Sequence, residues 1–116
     1  YGKDSFFKKL PALFQKYGVT AGEARARLTV DEYTWNRICK GICRPTKNLI
    51  FSLAIALRMS LEDACQLLEC CQLALDYAEV KDTVIAYLLS RNIFNPEMVR
   101  AALEEYKVDN LFLAEA

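Results

Sequence analysis

The chain has 116 residues, 53% of them hydrophobic, which is enough apolar material for one well-cored domain and excludes a disordered chain. No apolar run approaches the roughly 18 residues that a membrane-spanning helix needs. The formal net charge is zero, but residues 1–50 hold ten Lys/Arg against four Asp/Glu (+6), and residues 51–116 hold five against eleven (−6).

The hydrophobic periodicity is helical almost throughout, and no alternating strand pattern survives. A first helix is predicted from Ser5 to Tyr17, with Phe6, Leu10, Leu13, Phe14 and Tyr17 on one face. Pro11 inside it implies a kink or a later start, and Gly18 ends it. A second helix starts at Thr20, because Thr20-Ala21-Gly22-Glu23 fits a capping box. Ala24 and Leu28 face inward, and Thr29-Val30 makes a short turn. A third helix runs from Asp31, its N-cap, to Lys40, with Trp35 and Ile38 toward the core and Gly41 closing it.

Residues 42–45 form a loop. Thr46 caps a fourth helix whose apolar positions Leu49, Ile50, Leu53, Ala54 and Leu57 are near-continuous, so it is expected to be central. Ser60 starts a fifth helix that buries Leu61, Ala64, Leu68, Cys71 and Leu75. After a connector at 76–79, a sixth helix spans Val80 to Arg91 with Val80, Val84, Ile85 and Leu88 on one face. Asn95-Pro96-Glu97 is the strongest helix start in the chain: cap, proline at the first position, acid in the first turn. The seventh helix carries Val99, Ala102, Leu103 and Tyr106. The apolar tail Leu111-Phe112-Leu113 either folds back onto the bundle or docks against a partner.

Five cysteines (39, 43, 65, 70, 71) are an odd number, which argues against a secreted disulfide framework. The Cys39/Cys43 and Cys70/Cys71 spacings fit zinc poorly, and the chain has no histidine. They read as free buried thiols behaving as small hydrophobes, which places the chain in a reducing, cytoplasmic compartment. The start, Tyr1-Gly2-Lys3-Asp4, reads neither as a signal peptide nor as a natural initiator, so a fragment of a longer protein is expected.

Gly18-Val19-Thr20, the small Ala24, Val30, Thr34, Ile38 and Gly41 combine with Arg44-Pro45-Thr46, Leu49, Leu53, Ala54, Leu57 and Ser60-Leu61 in one pattern of core spacing, turn and caps. Over that stretch, residues 19–61, the chain resembles the Cro and lambda-repressor family of helix-turn-helix domains. Residues 79–113 have no counterpart in the minimal repressor fold. Taken whole, the chain resembles a bacterial accessory domain of this type, which carries two extra C-terminal helices and sits behind unrelated catalytic or ligand-sensing domains. The resemblance implies a single all-α domain of about seven helices: a five-helix core over 5–75 and a C-terminal helical pair over 79–113.

In that family the third helix lies in the major groove and its first residues read base edges. By position these are Asp31, Glu32, Tyr33 and Asn36, with Arg37 nearby. The family more often offers Ser, Gln, Arg or Asn there. Carboxylates accept from cytosine N4, but they repel a duplex bearing one charge per about 1.7 Å. An N-cap role occupies Asp31; Glu32 has none. Ala21 stands where the family commonly presents a polar residue to phosphate. On the other side, Lys40, Arg44 and Lys47, with Asn48, surround the loop that contacts the DNA backbone in the family, and Arg25, Arg27 and Arg37 add charge.

Two functions follow. The first is a non-enzymatic regulatory or protein-interaction module, contacting a protein partner or attached domain through Asp31, Glu32 and Tyr33 or through Leu111, Phe112 and Leu113. The alternative is a sequence-specific double-stranded DNA-binding regulator, in which Lys40, Arg44 and Lys47 hold phosphate while Tyr33 and Asn36 read bases. The charge split also suits a dipolar surface or head-to-tail self-association, and a homodimer stays open. An enzyme is not expected: there is no histidine, no glycine-rich phosphate loop and no nucleophile motif. No cofactor, metal or membrane is implied.

Overall fold

Side-chain caps set where the helices begin. In the computed structural model, which describes residues 3–115, the elements are α1 (Lys3–Lys16), α2 (Ala21–Ala26), α3 (Glu32–Cys39), α4 (Lys47–Ala56), α5 (Leu61–Cys70), α6 (Val80–Ser90) and α7 (Pro96–Glu105). The fold is all-α. Thr20, Asp31, Thr46, Ser60 and Asn95 each accept a hydrogen bond from a backbone N–H of the first turn that follows. At Thr20 the bond is reciprocated: the Glu23 carboxylate accepts from Thr20 N at 3.0 Å, completing the predicted capping box.

The helix ends follow one rule that composition hides. After α1, α3, α4, α5, α6 and α7 a residue with positive φ (Gly18, Gly41, Arg58, Gln72, Asn92, Lys107) turns the chain. The next residue is always apolar: Val19, Ile42, Met59, Leu73, Ile93 or Val108. Its N–H bonds back across the end of the helix, as in Met59 N to Ala54 O at 2.8 Å and Leu73 N to Leu68 O at 2.9 Å. Only the first two ends carry the glycine that advertises such a stop. At Arg58, Gln72 and Lys107 an ordinary side chain holds a left-handed conformation that costs about 1 kcal/mol or more.

α4 is the axis. Every residue from Leu49 to Leu57 is at most 9% exposed. One hydrophobic cluster joins it to residues of all the other helices: Phe6 and Leu10 (α1), Ala24 (α2), Trp35 (α3), Leu67 (α5), Ile85 (α6) and Leu103 (α7). The Phe14 and Trp35 rings meet at 6.5 Å between centroids, which seats α3 on α1. α1 runs unbroken through Pro11, whose exposed position lets water take the carbonyl that proline cannot serve.

Several sequence expectations are corrected. α1 begins at Lys3 rather than Ser5. α5 ends at Cys70, so Leu75 lies beyond it; Leu61 and Leu75 are half-buried, and Leu67 is a core residue that the pattern missed. In α6 the buried stripe is Ile85, Ala86, Leu88 and Leu89; Val80 is 52% exposed, and Val84 is half-buried. In α7 the core residues are Val99 and Leu103, while Tyr106 is exposed. Of the five thiols only Cys71 is buried; Cys39, Cys43, Cys65 and Cys70 are half-buried. Helical periodicity places residues on a face but not the face on a neighbour.

Two polar contacts clamp the periphery. Asp63, 8% exposed, accepts from Lys16 Nζ at 2.7 Å and from the Tyr17 hydroxyl, which itself accepts from Ser60 N at 3.1 Å. This joins the end of α1 to the start of α5. The Lys16 hydrogen bond, then that of Tyr17, holds the Asp63 carboxyl below the usual carboxylate range. The C-terminal tail folds back across the α2–α3 link. Leu28 and Leu113 form an antiparallel bridge, Thr29 N donates to Phe112 O at 2.9 Å, and Ala114 N donates to Arg27 O at 3.0 Å. Buried Ser52 on α4 accepts from Phe112 N at 2.9 Å.

Because the folded-state pKa of Asp63 is depressed, its contribution is complete above the unfolded value of about 3.9 and lost as pH falls through the folded one. Asp63→Asn is expected to lower stability at pH 7 by roughly 1–3 kcal/mol and to flatten the loss of stability between pH 5 and 2, read by urea unfolding at each pH. Conversely, Gln72→Gly and Arg58→Gly should each raise the unfolding free energy by about 0.5–1 kcal/mol, because glycine removes left-handed strain; a loss at both positions would contradict the assigned helix ends.

Candidate functional site

The α3 N-terminus presents its carboxylates in two different states. Asp31 spends its carboxylate on the helix: Oδ1 accepts from Thr34 N at 3.0 Å, and hydrogen bonding to the Thr34 side chain, then to its N–H, lowers the Asp31 pKa. Glu32, one residue on, is exposed and makes no ion pair among the described residues. Tyr33 is 70% exposed, with the Arg37 guanidinium 5.4 Å from its ring centroid. Arg37 Nε also donates to Cys43 Sγ at 3.2 Å, and this contact is the main cause of its raised pKa. Arg37 is therefore laid along the protein surface, between a tyrosine of α3 and a thiol of the next loop. Asn36 and Lys40 are exposed.

Two of the predicted cations around the α3–α4 loop, Lys47 and Arg44, have partners within the fold. Lys47 Nζ lies 2.8 Å from Asp82 Oδ2 on α6, and Asp82 is 4% exposed. The same oxygen accepts from Asp76 N at 2.8 Å. Arg44 Nη2 donates to Cys71 O at 2.8 Å, at the end of α5. Arg27 Nη1 donates to Ala56 O at 2.9 Å, at the end of α4. Asn48 is half-buried, and its carbonyl accepts from the Ser52 hydroxyl at 2.7 Å. Lys47, Arg44 and Arg27 thus satisfy internal acceptors before any partner arrives.

A cleft of about 540 Å³ lies between the α3 start, the α3–α4 loop and the tail, and its walls include Asp31, Thr34, Cys43, Arg44 and Phe112. The structure thus brings Asp31, Arg44 and Phe112 together. Glu32, Tyr33, Asn36, Lys40 and Lys47 are not part of that lining. Of the tail, Leu111 is 6% exposed and belongs to the core, Leu113 is half-buried, and Phe112 is 38% exposed. Leu111 is unavailable to a partner because its side chain fills the bundle; of the tail triplet, Phe112 is the most accessible.

A second surface was not found by the sequence reading. Between α6 and α7 runs an apolar groove of about 650 Å³, walled by Tyr77, Val80, Tyr87, Met98 and Tyr106, each more than half exposed, with Glu105 at its edge. The available signal was α6 itself, which is apolar on nearly every side: Ile85 and Leu89 face the core while Val80, Val84 and Tyr87 face the groove.

Burial raises the thiol pKa of Cys39, and burial followed by the Glu69 charge raises that of Cys65, so both are protonated at neutral pH. Among the described residues no group of three metal-ligating side chains converges, and no helix is long and apolar enough to cross a membrane. Comparison with family models, with curated proteins and with solved structures gives no match.

Removing the Lys47 ammonium leaves Asp82 buried with one N–H donor. Lys47→Met is therefore expected to destabilise the fold by roughly 2–4 kcal/mol in urea unfolding at neutral pH. A neutral effect on stability would mean that Lys47 is a surface cation, as its position in the sequence suggested.

Proposed function

We propose that this chain is a non-enzymatic regulatory or protein-interaction module in which α2, the link 27–31 and α3 form a repressor-like helix-turn-helix that no longer serves DNA. One observation carries the reading. Two of the three cations after α3 are engaged by the fold, at Lys47–Asp82 and Arg44–Cys71 O, whereas Glu32 and Tyr33 at the tip of α3 are exposed. A duplex approaching that tip would meet a carboxylate where phosphate needs a cation. A protein surface offering a Lys, an Arg or backbone N–H groups would find an acceptor beside an exposed aromatic ring. Five free thiols and no disulfide support a reducing compartment such as the cytoplasm.

The alternative, a double-stranded DNA-binding regulator, is favoured by the excess of six positive charges over residues 1–50 and by exposed Asn36 and Lys40 on α3 and its cap. Titration of a fluorescent random-sequence duplex separates the two. At about 50 mM salt, where cation-driven affinity is near its greatest, no saturable binding is expected. Binding that weakens steeply with salt, and that is lost in Lys40→Ala, would establish the DNA reading instead.

A further inference from the structure

We propose that the α6–α7 groove is the docking site for helix α1 of a second copy of this chain, so that molecules associate head to tail. A chain with +6 over residues 1–50 and −6 over residues 51–116 offers its own kind surfaces of opposite sign, and no net charge opposes the approach. The groove is lined by residues of the acidic segment 51–116. Glu79, Glu97, Glu104 and Glu105 are exposed on α7 and the start of α6, and none has an ion pair among the described residues. The basic side chains of these helices are partly engaged: Arg91 lies over the Tyr87 ring at 5.2 Å, Arg100 lies 3.7 Å from Glu115, and Lys81 donates to Asn110 O at 3.4 Å.

The complement is on α1. Among its described lysines, Lys8 is exposed, while Lys9 donates to Gln66 Oε1 at 3.3 Å and Lys16 pairs with Asp63. Its outward stripe is Phe7, Pro11, Ala12 and Gln15, spaced as one helical face, with Phe7 44% exposed and Lys8 exposed beside it. From Phe7 to Gln15 this stripe spans about 12 Å, and the 11 residues of α6 give the groove about 16 Å. An aromatic anchor beside a lysine, Phe7 and Lys8, therefore meets an aromatic-lined groove with acidic flanks at matching length. This is the helix-in-groove mode of recognition. The two surfaces are different, so the contact is heterologous and propagates into short chains or closes into a ring. One helix in one groove buries an area at or below about 1,200 Å², which makes the association weak and concentration-dependent. It does not depend on what α3 binds, and the duplex titration and the experiment below fail independently.

Sedimentation equilibrium of the whole chain tests it, from about 10 µM to about 1 mM, as an interface of this size requires. At about 50 mM salt the weight-average mass is expected to climb past twice the monomer's, and to fall at about 500 mM salt as the screening length shrinks to a few ångströms. Phe7→Glu removes the anchor and Met98→Glu spoils the groove. Both positions are exposed, and an acid at position 98 suits the first turn of α7, so both variants fold. Each alone should be monomeric. Mixed in equal amounts they should form a 1:1 heterodimer and nothing larger, because one keeps its groove and the other its α1. A monomer at every concentration overturns the proposal. So does a dimer that survives Phe7→Glu, which would be groove paired with groove, or a mixture of the two variants that stays monomeric.

Discussion

An almost fully buried carboxylate needs a cation, and Asp82 finds it in Lys47. The pair joins the first turn of α4 to the first turn of α6 at 2.8 Å, and a backbone N–H from the connector completes it. Desolvating a carboxylate is expensive enough that a lysine within reach is drawn inward rather than left in water. Two consequences follow from one contact. The C-terminal helices are tied to the central helix, so the chain folds around one core. The loop after α3 also gives up a charge that a repressor-like surface would present outward.

Around this pair the same preference repeats. Arg44 and Arg27 cap the carbonyl ends of α5 and α4, where a guanidinium complements the partial negative charge of a helix terminus. Arg37 is held between Cys43 and Tyr33. Several cations of the first half, Lys47, Arg44, Arg27 and Lys16, thus tie elements of the bundle together, while Lys8 and Lys40 stay exposed. What remains outward at the tip of α3 is a carboxylate and an aromatic ring, Glu32 and Tyr33.

α6 shows what the central helix does to its neighbours. α4 buries all of its sides and needs partners on each, and α6 supplies one of them with Ile85, Ala86, Leu88 and Leu89. Its remaining apolar residues cannot be buried by the same bundle and stay in the groove shared with α7. Contiguous exposed apolar surface of this kind marks an interaction site more often than chance.

Caps and periodicity were legible without a structure. Thr20, Asp31, Thr46, Ser60 and Asn95 announce helix starts because the need for them is local: a free N–H lies within three residues of the side chain that satisfies it. The all-helical class and the buried central helix follow from the same short-range spacing. The ends at Arg58, Gln72 and Lys107 were not legible as glycine stops, because the αL position there carries an ordinary residue and the signal is the apolar residue after it. Nor was the direction of Lys47 and Arg44. Their partners, Asp82 and the Cys71 carbonyl, lie 35 and 27 residues away in sequence. Hydrogen bonds between neighbours are written into the chain one turn at a time. Which of two apolar faces meets the core, and which charge is left facing water, depends on pairings between distant segments that only the packed bundle decides.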